Sequence, residues 1–302
     1  DNGASRSRIT VTGSDSLGIG GIKAGVRMEW SVASNMSSNV TIKGANGNSG
    51  ANDIAFDIRH SAIWFSGKFG KLTMGHTSGA YDGRMFADQS GTVAMASIEN
   101  GAATFGGSIQ WRTSGGGLLG NSMSQTVDSI DGGRYDLIRY DTPSFGPFSA
   151  AVAIGDNNRW DMGAGINTSF SGAKVRFSGG YESEAGADND RWGIAASVLF
   201  SQGTNINVAY AERDRNDNRD MENFYIKLGH RWGNNSAAID YIQTEDEAVR
   251  GDEHTSWGIG IAHNVPGPNV QFYASYRNHD LDRPGSNVED IDVFGIGSRV
   301  RF

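Results

Sequence analysis

The feature that most constrains this chain is an alternation of apolar and polar residues with a period of two. In residues 22–34, IKAGVRMEWSVAS, every second side chain from Ile22 to Val32 is apolar, and those between them are charged or small. This spacing predicts a β-strand with one apolar and one polar face. Fifteen such segments can be counted, four before and eleven after a single long interruption. The chain is therefore predicted to be all-β.

The connections between these segments alternate in length. Short glycine-containing links, as at 66–70 and 171–172, take turns with longer acidic links, as at 212–220 and 245–254. Short turns at one end and long loops at the other are typical of an outer-membrane barrel, whose strands need only about 10 residues. Aromatic residues, expected as girdles at the two membrane interfaces, stand near the ends of the apolar faces: Trp30, Trp64, Trp160, Trp192, Trp232, Trp257, Tyr210 and Tyr276.

The count of fifteen strands is odd, whereas a closed single-chain barrel of bacterial type needs an even number. We therefore expect a transmembrane, antiparallel, sixteen-stranded up-and-down β-barrel whose first strand precedes Asp1. A second possibility places the missing strand inside the interruption, in TFGGSIQWRT at residues 104–113. In either case residues 1–302 are expected to form a single domain.

The interruption covers about 55 residues, from 77 to 131, and shows little sustained alternation. A loop of this length inside a compact architecture is usually either functional or disordered. We expect it to fold into the space that the alternating strands enclose.

Composition narrows the class of function. The chain has no cysteine, which excludes a disulfide framework and a thiolate metal site. A net charge of -8 argues against a nucleic-acid partner. Neither an HExxH nor a GxSxG motif occurs, so we predict no catalytic residue, no metal site and no enzyme. A barrel enzyme of the protease or lipase type and a loop-based adhesin or structural anchor stay open as alternatives.

Several runs of residues resemble the general porins of Gram-negative, proteobacterial outer membranes. They are SRSRITVTGSDSLG followed by KAGVRMEW, then IRHSAIWFSGKFGKLTMG, LIRYDTPSFGPFSAAVA and the C-terminal Phe302. The similarity extends over essentially the whole chain. It implies a homotrimeric pore in outer-membrane lipid and lipopolysaccharide, through which ions and small hydrophilic solutes diffuse passively. In that family the first of these runs forms the second strand, and the third long loop bends inward to narrow the channel.

The resemblance also implies the residues of the narrow point, where arginines on early strands face acids on the loop. Charged rings at a constriction select solutes by sign and size. The aligned motifs put Arg8, Arg59 and Arg139 on the basic wall, and strand parity adds Lys23 and Arg27. The loop lacks the PEFGG-like signature of the family, so its acidic candidates rest on position alone. They are Asp82, Asp88 and Glu99.

No cofactor is expected. The acidic loops at 212–220 and 245–253 could hold a divalent cation such as Ca²⁺ that bridges to lipid phosphates. We favour the simpler interpretation, a solvated loop whose arginines compensate its acids, because no EF-hand spacing is present.

Overall fold

The chain folds almost entirely into antiparallel strands. The computed structural model describes residues 7–33, 36–41, 55–98, 105–184, 189–217, 219–267 and 269–301. Within them no helix is long and apolar enough to cross a membrane. The strands are β1 (Ser7–Ser16), β2 (Lys23–Ala33), β3 (Ala55–Gly67), β4 (Gly70–Ser78), β5 (Gln110–Arg112), β6 (Leu118–Ser122), β7 (Arg134–Asp141), β8 (Phe148–Gly155), β9 (Arg159–Phe170), β10 (Ala173–Glu184), β11 (Asn189–Leu199), β12 (Thr204–Arg215), β13 (Asp220–Trp232), β14 (Asn235–Glu245), β15 (Glu253–Val265), β16 (Val270–Asp282) and β17 (Ile291–Val300).

Fifteen of these strands form one sheet in the order of the chain, with only β5 and β6 outside it. Each pairs antiparallel with its neighbours, as an up-and-down sheet requires, so the predicted topology and the fifteen predicted strands are confirmed. The alternative strand within residues 104–113 corresponds to β5, but β5 pairs with β6 in a separate two-stranded sheet. It therefore adds no strand to the wall. The strand expected before Asp1 stays a prediction.

The two ends of the sheet differ as predicted. Links such as 68–69, 171–172 and 233–234 join strands at one end, which we call the short-turn end. Links such as 79–133 and 246–252 lie at the other, which we call the long-loop end. The segment 79–133, called the inner loop below, connects β4 to β7, and these two strands pair directly with each other.

The two faces of the sheet carry different side chains. On β13, Phe224, Ile226 and Leu228 are exposed on the outer face, whereas the alternate residues Tyr225 and Lys227 are buried on the inner face. An exposed apolar band is what a lipid-facing wall requires. Near the long-loop end this band is bordered by outward tryptophan–tyrosine pairs with ring centroids 5.3 to 5.8 Å apart: Trp160–Tyr181, Trp192–Tyr210 and Trp257–Tyr276.

Strand β3 departs from simple alternation. Its register against β2 slips by one residue at Arg59, which is the extra residue of a β-bulge. A bulge moves the residues that follow it to the opposite face. Ile58 is therefore exposed on the outside, but further along it is Ile63 that is exposed. Trp64, predicted to lie on the apolar face, instead lies on the inner face under the Lys71 ammonium, which is 5.2 Å from the ring centroid.

Candidate functional site

The inner loop packs against the inner face of the sheet through apolar clusters. Tyr81, Met85 and Ile130 of the loop pack with buried residues of β11 to β14, among them Tyr225 and Ile242. Burying each large side chain of this kind contributes about 1.5–3 kcal/mol. Two further clusters hold the loop against β14 to β17. In one, Met95 and Phe105 of the loop pack with Tyr273 of β16. In the other, Trp111 and Met123 of the loop pack with Leu281 of β16. At its beginning the loop also packs on β7 and β8 through Ala80, so it lies along the wall from β7 to β17.

Buried polar contacts fix the loop at its centre. The Lys227 side chain on β13 is completely buried, and its Nζ lies 3.1 Å from Oδ2 of Asp88 and 2.6 Å from the Ala96 carbonyl oxygen. Arg213 of β12 donates to Asp128 at 3.0 Å. A buried charge is tolerated when it is paired and hydrogen-bonded. These two pairs connect both arms of the inner loop to neighbouring strands.

Two contacts within the loop hold its first turn to its last. The Tyr81 hydroxyl donates to the Ile130 carbonyl oxygen at 2.7 Å. The Asp131 carboxylate accepts hydrogen bonds from the backbone amides of Gly83 at 2.7 Å and Met85 at 3.2 Å. Burial, together with the neighbouring Asp82, raises the pKa of Asp131. The loop thus closes on itself as well as on the wall.

Three of the predicted basic residues converge on one carboxylate of the opposite wall. Glu29 on β2 is only 3% exposed. Its carboxylate oxygens lie 2.7 Å from Arg27, 2.9 Å from Arg59 and 3.9 Å from Arg8. Thr10 donates a further hydrogen bond to it at 3.1 Å. Sequence reasoning missed Glu29 as the centre of this cluster, although Arg27 and Glu29 stand two residues apart on the same face.

The two remaining basic candidates have different surroundings. Arg139 pairs with Asp141 at 2.6 Å and donates to the carbonyl oxygens of Ser78 at 3.2 Å and Gly79 at 2.6 Å. It therefore holds the point where the inner loop leaves β4. Lys23 is exposed at the beginning of β2, beside the short-turn end.

The acidic candidates do not form one group. Asp82 is half-buried beside Asp131. Asp88 faces Lys227, so its carboxylate points to β13 and not to the arginines of β1 to β3. Glu99 lies outside the described residues. Which loop acids stand opposite the arginines could not be read from the sequence, because their partners are distant along the chain.

A polar cavity of about 700 Å³ remains beside the inner faces of β1 to β4 and β7. Among its lining residues are Arg27, Trp64, Lys71, Arg139 and Asp141. Most of its lining belongs to β1 to β4, which take no part in the clusters that hold the inner loop. The cavity therefore joins the four strands that carry the predicted basic residues, β1, β2, β3 and β7, in one polar space.

The acidic loops extend into a row of carboxylates on the outer face at the long-loop end. Directly paired positions bring Glu212 beside Glu222, Glu222 beside Glu245, Glu245 beside Glu253 and Glu253 beside Asp282. In the loops above, Arg219 pairs with Asp217 at 2.7 Å, and hydrogen bonding to Arg219 lowers the pKa of Asp217. Among the described residues no group of three or more histidines or acids could hold a metal ion. The divalent cation stays a prediction.

Comparisons with known proteins agree with this architecture. The family model described as Gram-negative porin matches residues 1–284, whereas none of the curated protein sequences matches significantly.

Among solved structures, the anion-selective porin from Comamonas acidovorans is 18% identical, with 98% of this chain and 87% of that chain covered at a TM-score of 0.59. OmpT of Vibrio cholerae in its trimer form is 15% identical, with coverages of 98% and 91% and the same TM-score. Salmonella typhi OmpF in complex with daunomycin is 13% identical, again with 98% and 91% covered and a TM-score of 0.59.

Proposed function

This chain belongs to the Gram-negative porin family, and from that membership we propose that ions and small hydrophilic solutes diffuse passively through its water-filled lumen. The protein is a β-barrel channel of the bacterial outer membrane. Family and fold indicate a channel protein rather than an enzyme.

The narrow point of the channel is proposed to lie between the inner loop and the wall formed by β1 to β4. One observation carries this proposal: the loop packs along β7 to β17, while a polar cavity containing Arg27 and Arg139 remains beside β1 to β4. A loop fixed inside a barrel narrows it without closing it. Passive diffusion needs no nucleophile, only a polar path of suitable width and field.

The basic side of the narrow point is proposed to consist of Arg8, Arg27 and Arg59, with Arg139 and Lys23 at its margins. Glu29 balances only part of this charge, because three guanidinium groups share one carboxylate. Asp82 is the loop acid that we assign to the opposite side, since Asp88 is occupied by Lys227. Opposed charges of this kind create a transverse field that orders water and orients dipolar solutes.

A homotrimer is the proposed assembly. The Vibrio cholerae protein of the same fold is described in a trimer form, which supports the same arrangement here. The exposed apolar band accounts for lipid as the surrounding partner. Lipopolysaccharide is proposed as the partner that surrounds the long-loop end.

The channel and its assembly are tested together in planar lipid bilayers. We expect the purified protein to conduct ions in potassium chloride, with three equal current steps for each inserted unit. Heat-denatured protein at the same concentration is the control. Absence of conductance in protein whose circular dichroism shows an intact β-sheet would reject the channel. One current step for each inserted unit would reject the trimer but keep the channel.

A further inference from the structure

A second cavity lies inside the lumen on the side of the short turns. It measures about 580 Å³ and is bounded by the first part of the inner loop and by the ends of β9 and β10 next to the turn at 171–172. Its lining contains Arg84, Lys174 and Arg176, with Gln89 and Asn167 among its polar groups, and no aspartate or glutamate. We call this cavity the basic pocket.

The cations of the basic pocket lack the partners that other lumen cations have. Lys227, Arg213 and Arg277 are each paired with a carboxylate. By contrast, the side chains of Lys174 and Arg176 make no ion pair or hydrogen bond within the part of the chain that the structure describes. Their charges are exposed to the cavity and are not cancelled there.

Arg84 is held in place by contacts that leave its terminal nitrogens available. Its Nε donates to the Ala80 carbonyl oxygen at 2.9 Å, and its own carbonyl oxygen accepts from the Ser178 hydroxyl at 2.5 Å. Neither Nη1 nor Nη2 has a hydrogen-bond acceptor among the described residues. A guanidinium fixed at Nε with two free amino groups is suited to accept an anion from one side.

Glycine on β9 is what lets Arg84 lie this close to the wall. A Cβ at Gly163 would stand 2.6 Å from the Arg84 Nε and would also overlap the Ala80 carbonyl oxygen. Burial, with Arg139 nearby, lowers the pKa of Arg84. Asp141, Asp131 and Asp161 act on this charge from a distance, but the guanidinium forms no ion pair among the described residues, and an incoming anion would supply a direct partner.

We propose that the basic pocket binds a small dianionic oxyanion, of the kind that inorganic phosphate represents. Two guanidinium groups can each give paired N–H donors to tetrahedral oxygens, and the Lys174 ammonium adds a point charge. The absence of lining carboxylates favours anions over zwitterions. The proposal rests on the proposed channel function only for how the anion arrives, because the pocket itself is formed within one chain.

Equilibrium dialysis of the folded protein in detergent against radiolabelled inorganic phosphate tests the site without requiring conduction. We expect saturable binding that Lys174→Gln with Arg176→Gln weakens at least about tenfold, which corresponds to about 1.4 kcal/mol. The matched control is Lys68→Gln with Arg250→Gln, which removes one lysine and one arginine away from the cavity and leaves the affinity unchanged. Non-saturable binding, or equal weakening in both double variants, would overturn the proposal.

Planar bilayers separate this proposal from the channel itself. In potassium chloride, added phosphate is expected to reduce the current of the wild type at lower concentrations than that of the Lys174→Gln, Arg176→Gln variant. Chloride current that phosphate affects equally in both proteins would reject the site and keep the channel. Saturable phosphate binding by a folded protein that conducts no ions would reject the channel and keep the site.

Discussion

Asp88→Asn in the inner loop is expected to lower the stability of the barrel and lower its single-channel conductance at the same time. Lys227 is completely buried, and Asp88 is its only carboxylate partner among the described ion pairs. Removing one member of a buried pair leaves the other charge uncompensated, at a cost of about 3–5 kcal/mol. The loop can avoid that cost by moving away from β13 and admitting water to the ammonium, which brings it closer to β1 to β4 and narrows the lumen.

The measurements are the midpoint of unfolding in urea and the current per channel in potassium chloride. Adding Lys227→Met to Asp88→Asn should recover most of the lost stability, because no charge then stays buried. Asp217→Asn is the control, since its pair with Arg219 is exposed and contributes little. A lower unfolding midpoint with unchanged current would mean that the pair stabilises the loop without setting the width of the pore.

Much of the fold could be predicted because strand formation leaves a local signal. Alternation with a period of two is visible within ten residues, and the lengths of the links follow from where it stops. The length and irregularity of residues 77–131 were enough to single out the inner loop. Residues 104–113 were also noticed as a possible strand, but nothing in the sequence showed that β5 pairs with β6 outside the main sheet, because β5 has only three residues.

Three features were missed for the same physical reason. Each depends on an inserted residue or on a contact between distant parts of the chain, and the alternation within one strand records neither. At Arg59 a single inserted residue reverses the faces of the strand, and apolar residues on both sides conceal the reversal. Asp88 is 139 residues from Lys227, so its partner depends on how the loop folds back. The alternation places Glu29 on the polar face of β2. It does not show which arginines of the neighbouring strands contact the Glu29 carboxylate.

The Glu29 cluster sets the expected selectivity of the pore by its imbalance of charge. Arg27 and Arg59 contact opposite oxygens of the carboxylate, which keeps both guanidinium groups close together on the wall. Arg139 differs, since it also holds the carbonyl oxygens where the inner loop begins. A substitution there would change loop position as well as charge. The field of the wall is therefore tested more cleanly on β2 and β3.

Replacing both Arg27 and Arg59 with glutamine is expected to shift the reversal potential in a potassium chloride gradient toward cation selectivity. A unit charge about 4 Å from a passing ion changes its energy by about 1 kcal/mol in water, or about fivefold in local concentration.

Glu29→Gln should shift the potential in the opposite direction, because the arginines then lose their counter-charge while the amide oxygen still accepts a hydrogen bond. Arg250→Gln, in the link between β14 and β15, removes one positive charge outside the cavity and should leave the potential unchanged. Shifts of the same sign in the arginine and glutamate variants would remove this cluster from the narrow point of the channel.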